Sequence, residues 1–132
     1  MLKDGVRARP DVGALASLDR KRLCVLIWYY HDDDVTGPAA EVQLGLSNLP
    51  VRSGTMRLRH FRIDDSHSNA FTEWQRMGSP QQPTPAQYAR LEKAGQLAEL
   101  NAPRTVRVKD ASATLRFMLP RQGVSLLVLD RR

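Results

Sequence analysis

The side chains that could do chemistry in this sequence are four glutamates, a run of three aspartates, three histidines and a block of arginines. Hydrolysis by side chains needs two facing carboxylates, a nucleophile with its base, or a metal. Glu41, Glu73, Glu92 and Glu99 fall on one strand-like and three helix-like stretches. Each reads as a solvent-facing position, because such charges are rarely buried alone. The densest set of potential ligands is His31-Asp32-Asp33-Asp34. Asp32, Asp34, Thr36 and Gly37 fit the first half of a calcium loop. Its twelfth position is Gln43 instead of a bidentate glutamate, however, and a strand-like segment follows where a helix belongs. The segment reads as an aspartate-rich turn, with calcium a weak alternative, since adjacent carboxylates repel unless neutralised. No other metal site is expected: His60 and His67 lie in other segments, and the one thiol, Cys24, sits in an apolar run taken as buried.

Asp64-Asp65-Ser66-His67-Ser68 contains the residue types of a catalytic triad. Sequence neighbours do not converge as a triad does, and no G-x-S-x-G elbow is present, so these read as turn and helix-capping groups. Neither phosphate-binding glycine pattern occurs, and no cofactor is expected. Arg57, Arg59 and Arg62 cluster among a total of 20 basic residues. A nucleic-acid surface would set them on one face among stacking aromatic rings. Arg57 and Arg59 instead form the outward half of an alternating segment, so a solvated surface is the reading and nucleic acid is not an expected partner. Trp28 and Trp74, the two residues that could act as sugar platforms, read as core.

The elements that must position these residues are strands at both ends of the chain and helices in the middle. Leu23–Tyr30 is short, β-branched and aromatic, the pattern of a strand buried on both faces. Val12–Ser17 pairs with it through a turn at Asp19-Arg20-Lys21. Val42, Leu44 and Leu46 alternate as in a half-buried strand. Between 56 and 63, Met56 and Leu58 share one face while Phe61 and Ile63 share the other, and a bulge near His60 would reconcile them. Helical spacing begins at Ser66 with Phe71, Trp74 and Met77, and ends at Gly78-Ser79-Pro80. Thr84-Pro85-Ala86-Gln87 is a capping threonine, a proline at the first helical position and a glutamine three residues after the cap. Tyr88, Leu91 and Ala94 or Gly95 form its inner stripe, and the helix is expected to run to about Leu100. Three more strands follow: Val106 with Val108, then Leu115, Phe117 and Leu119, then 123–129, with Lys109-Asp110-Ala111 as a turn.

The sum is a mainly β fold: an antiparallel β-sandwich of immunoglobulin or fibronectin type with a helical excursion at about 66–100. At 132 residues the chain is one domain, too short for a (β/α)₈ barrel, which needs roughly 200 residues or more. With 42% hydrophobic and 26% charged residues it reads as globular. Its charge of +6 is what raises the nucleic-acid question at all. No apolar run approaches the ~20 residues of a membrane span, so no membrane is expected. The first ten residues lack the apolar core of a signal peptide, which leaves localisation open and the cytoplasm as the default.

Longer stretches carry a resemblance. Cys24-Val25-Leu26-Ile27-Trp28-Tyr29-Tyr30-His31-Asp32-Asp33-Asp34 closely resembles the VLVW-x-YHDDD segment of bacterial β-xylosidases of glycoside hydrolase family 39. Three later stretches match collinearly: 60–64 running into 67–71 and Trp74, then 77–84, then 119–127. Gly5-Val6-Arg7 and Pro10-Asp11-Val12 fit just upstream. Lysosomal α-L-iduronidase, of the same family, is more distantly similar.

The resemblance implies a parent enzyme with an N-terminal (β/α)₈ barrel holding two catalytic glutamates, the acid/base in an Asn-Glu-Pro context and the other a nucleophile of a retaining mechanism. A β-sandwich with a helical excursion would follow it and pack on it. This chain matches the sandwich alone. It contains no Asn-Glu pair, so neither glutamate maps onto it and no catalytic residue is expected. Residues 1–132 are thus expected to be a single accessory sandwich, incomplete on its N-terminal side, with the barrel as its partner and self-association where the barrel is lacking. His31, Asp32, Asp33, His67, Asn69 and Trp74 are the candidates to face the barrel or a sugar. The rivals are an independent carbohydrate-binding module, which needs Trp28, Trp74, Tyr29 or Tyr30 exposed in a row, and a basic nucleic-acid-binding domain.

Overall fold

A computed structural model of the chain describes residues 11–33 and 35–131. Asp34 and the upstream Gly5-Val6-Arg7 and Pro10 of the resemblance lie outside the described residues. Eight strands and two helices follow in order: β1 (Val12–Leu18), β2 (Arg22–Tyr29), β3 (Ala40–Leu46), β4 (Gly54–Ile63), α1 (Ala70–Arg76), α2 (Pro85–Gly95), β5 (Ala98–Glu99), β6 (Arg104–Val108), β7 (Ala113–Leu119) and β8 (Val124–Arg131). The larger sheet runs β1-β2-β8-β4, and β5 and β6 share the far edge of β4 in succession. The smaller sheet is the pair β3-β7. Every pairing is antiparallel. This is an antiparallel sandwich of unequal layers.

The core lies between the layers. Val25 and Ile27 of β2, Leu127 and Leu129 of β8, and Met56 and Leu58 of β4 meet Val42, Leu115 and Leu119 of the small sheet. Turn chemistry closes the hairpins. Asp19 Oδ1 accepts the amides of Lys21 and Arg22 at 2.8 Å each. Asp110 and Ala111 both have positive φ, as a tight hairpin turn between Lys109 and Ser112 requires.

Several expectations need correction. β2 is buried on one face only: Leu23, Val25, Ile27 and Tyr29 point in, while Cys24 and Trp28 are half-buried and Leu26 is exposed. β4 has no bulge. Its register with β8 is unbroken from Met56 opposite Arg131 to Ile63 opposite Val124, so the inward series is Met56, Leu58, His60, Arg62. Phe61 and Ile63 face out. α1 begins at Ala70, not Ser66, because residues 64–69 spend their polar groups on turns and Asn69 caps the helix, accepting from Thr72 N at 3.1 Å. α2 ends at Gly95, and β5 pairs with Phe61 and Arg62 where helix was expected. Neither helix holds a buried residue. Phe71 and Tyr88 are exposed while Trp74, Met77, Leu91 and Ala94 are half-buried, so the inner stripes are covered only in part and add nothing to the buried core. Glu73 and Glu99 are not free solvent charges either. Glu73 pairs with Arg90 and Arg76, and Glu99 with Arg59.

Candidate functional site

Strand register brings two of the singled-out segments together. Trp28 lies opposite Val124, which lies opposite Ile63. The loops after β2 and β4 and the β7–β8 turn therefore leave the sandwich at one end. The first loop carries His31, Asp32 and Asp33, and the second carries His67 and Asn69. Trp74 sits further along, in α1, stacked on Phe71 at 5.6 Å and donating from Nε1 to Pro80 O at 3.0 Å.

His31 is fixed from two sides. Its Nδ1 is 2.9 Å from Asp11 Oδ2, and its backbone exchanges hydrogen bonds with the Gln122 amide. Asp33 stands 4.0 Å from the other ring nitrogen. Beside them a cavity of about 320 Å³ is lined by Val35, Thr36, Gly37, Asp65, Pro120 and Arg121, among others. The Arg121 guanidinium lies over the Tyr29 ring at 5.8 Å and donates to Val35 O at 3.2 Å. It fills the space a Cβ on Gly37 would need, so a larger residue at 37 would displace the guanidinium from this place. Arg121 Nε is buried with no hydrogen-bond partner among the described residues. The end is built to hold polar groups in place. Among the described residues no cluster of three or more His, Cys, Asp or Glu could hold a metal.

Beneath this end lies a buried polar network that sequence reasoning missed. Arg62, 4% exposed, donates from Nε to Ser125 Oγ at 3.0 Å and from Nη2 to Met118 O at 2.8 Å. Its Nη1 is 3.5 Å from Asp64 Oδ2. Burial alone would raise the Asp64 carboxyl. The His67 ring at 2.8 Å, the Ser66 amide and the Arg62 charge outweigh it and hold the carboxyl below its ordinary value. Ser68 Oγ donates to Arg62 O and accepts from Ala98 N, each at 2.8 Å, which ties β5 to the same loop. The two-residue period of Met56 and Leu58, continued unbroken through β4, puts His60 and Arg62 inward, a reading that the apolar Phe61 and Ile63 on the other face obscure.

His60 Nε2 lies 2.7 Å from Ser125 Oγ, the spacing of a nucleophile and its base. Ser125 is 0% exposed, so no substrate reaches it. Burial first, then the Arg62 and Arg104 charges, push His60 down to about 4. The ring is neutral near pH 7. With Arg62 donating to Ser125, the hydroxyl proton is available to His60, and the three groups form a satisfied structural chain.

The outer face of the larger sheet is the second candidate surface. Register lines up Leu15, Leu26, Leu126 and Phe61 across four strands. The next row is Gly13, Trp28, Val124 and Ile63. Trp28 lies flat over Gly13, whose Cβ position would be 2.7 Å from the ring. Both tryptophans thus lie outside the core assigned to them: Trp28 covers this face, and Trp74 packs within the helical excursion. Tyr29 points into the core, and Tyr30 is exposed beyond the strand. The four aromatic residues form no common row. The arginines are dispersed: Arg62 is buried, Arg59 pairs with Glu99, Arg22 with Asp130 and Arg90 with Glu73.

No protein-family profile and no curated protein matches the chain. Solved structures do. The chain superposes on a glycoside hydrolase family 39 enzyme from Xanthomonas axonopodis pv. citri with a TM-score of 0.73 at 23% identity, over 90% of this chain and 26% of the other. A bacterial orthologue of human α-L-iduronidase matches with a TM-score of 0.75 at 19% identity, over 94% and 23%. A monomeric β-xylosidase from Caulobacter crescentus matches with a TM-score of 0.69 at 19% identity, over 89% and 26%. The chain has the fold of a region of glycoside hydrolase family 39 enzymes, and it spans about a quarter of the length of the enzymes it matches.

Proposed function

We propose that this chain is a non-catalytic C-terminal accessory β-sandwich of a β-xylosidase-like glycoside hydrolase, the parent activity being retaining hydrolysis of O-glycosidic bonds in xylo-oligosaccharides. The observation that carries the reading is the fold shared with a region that makes up about a quarter of the length of each matched enzyme. The outer face supports it. A solvated sheet face alternates polar residues outward, whereas this one presents Leu15, Leu26, Trp28, Leu126, Phe61 and Ile63, the surface of a domain that packs on another. In the parent, a (β/α)₈ barrel covers that face. The loop end with His31, Asp32, Asp33, His67 and Asn69, and Trp74 beyond it, borders the barrel or the sugar. Catalysis resides elsewhere in this reading: the Ser125 hydroxyl is buried away from substrate, and the sequence holds no Asn-Glu pair to carry the acid/base of a retaining mechanism.

The test is an assay of the purified chain on 4-nitrophenyl β-xyloside. The expected rate is that of buffer alone. Turnover that a substitution within this chain abolishes would overturn the accessory reading.

A further inference from the structure

β1 departs from the way edge strands are normally protected. It forms one edge of the larger sheet, runs seven residues in unbroken register against β2, and its sequence, Val-Gly-Ala-Leu-Ala-Ser-Leu, contains no charge and no proline. Natural edges are short, bulged, charged or covered. The small sheet does not reach over it: Ala14, Ala16 and Leu18 lie on the inward face yet are exposed. Leu15, on the outward face, is 65% exposed, and Leu18 is 57% exposed. Among the described residues, both faces and the hydrogen-bonding edge are open at once.

We propose that β1 pairs antiparallel with β1 of a second copy of this chain, joining two large sheets into one across a two-fold axis at Leu15. The strand is self-complementary in that register. Leu15 meets Leu15, Ala14 meets Ala16, Gly13 meets Ser17 and Val12 meets Leu18. Each pair joins residues of the same face, because the partners' numbers differ by an even step, and a two-fold axis normal to the sheet preserves the faces. By sequence, residues 1–10 make a poor alternative occupant, since they carry Lys3, Asp4, Arg7, Arg9 and Pro10, types that disfavour edge pairing. A two-strand contact is smaller than the roughly 1,200–2,000 Å² of standard stable interfaces, so the pairing is concentration-dependent. It uses the edge, not the breadth of the outer face, and it stands or falls independently of the accessory role.

Sedimentation of the whole chain over a concentration series reaching the millimolar range decides it. Wild type forms a dimer. Leu15→Lys sets two like charges opposite each other at the axis and stays monomeric at every concentration, as does Leu15→Glu. An equimolar mixture of the two variants restores the dimer. Circular dichroism checks that the variants are folded. If Leu15→Lys disturbs the fold, the double variant Ala14→Lys with Ala16→Lys, which sets lysine opposite lysine on the other face, is read in its place. A wild-type monomer throughout the series overturns the pairing, as does a dimer that the lysine leaves intact or a mixture that fails to re-form it.

Discussion

His60 is a titratable ring held where protonation is unfavourable, and that makes stability depend on pH in a defined window. Its folded value is about 4 against an ordinary 6.5. Between those values the unfolded chain binds a proton that the folded chain does not, so acid favours unfolding. The contribution is complete above about 6.5, falls as pH drops, and is exhausted near 4. At ~1.4 kcal/mol per unit, the loss is on the order of 3 kcal/mol. Asp64, lowered as well, adds an acid loss at still lower pH. Urea unfolding from pH 7 to 4 should therefore give a slope for wild type that His60→Gln, which keeps a polar partner for Ser125, largely flattens. Parallel curves for the two proteins would refute the assignment. The same residue marks a limit of sequence reading. Met56, Leu58, Phe61 and Ile63 look like one interrupted apolar face, and only the partner strand, which places Ser125 opposite Arg62, makes a polar inward pair tolerable. Burial of an arginine becomes legible once its acceptors are known, and these lie 56 and 63 residues away.

The helical excursion and the strands differ in how openly their sequences declare them. Period two was enough for β3 and β7, a continuous apolar run for β8, and the start of α2 was written in four residues. Thr84 Oγ1 accepts from Gln87 N at 3.2 Å, and the Gln87 side chain accepts from Thr84 N at 2.9 Å, a reciprocal cap. Thr84→Ala should cost about 1 kcal/mol in chemical denaturation. An unchanged midpoint would mean that the cap contributes nothing. The end of α2 was hidden because β5 is two residues long, below any periodic signal, and is held by Ser68 and β4. The start of α1 was misplaced because Asp64, Ser66 and Ser68 serve equally as turn formers and as helix-capping residues. Apolar spacing in α1 and α2 was real, but it marked a face covered only in part: Phe71 and Tyr88 face out, while Trp74, Met77, Leu91 and Ala94 are half-buried. Periodicity identifies a face and not what covers it.

At the scale of the whole molecule, the same ambiguity becomes informative. Leu26, Trp28, Phe61, Ile63 and Leu126 sit on a sheet face that no other described element covers, exposed or half-buried, beside a small sheet too narrow to cover β1. The segment resemblance pointed to a family 39 sandwich, and the fold agrees with it. The loop-end candidates His31 and Asp33 do lie together, whereas Trp74 lies in a different element. The central claim is that the outer face is an interface whose partner is the catalytic part of a larger enzyme. Hydroxyl-radical footprinting of the isolated chain, against the native protein as purified from the cells that make it, tests this most directly. Leu26, Trp28, Phe61, Ile63 and Leu126 should react in the isolated chain and be protected in the native protein, while Tyr88 on the helical excursion reacts in both. Equal reactivity of the five outer-face residues in both samples would contradict the account.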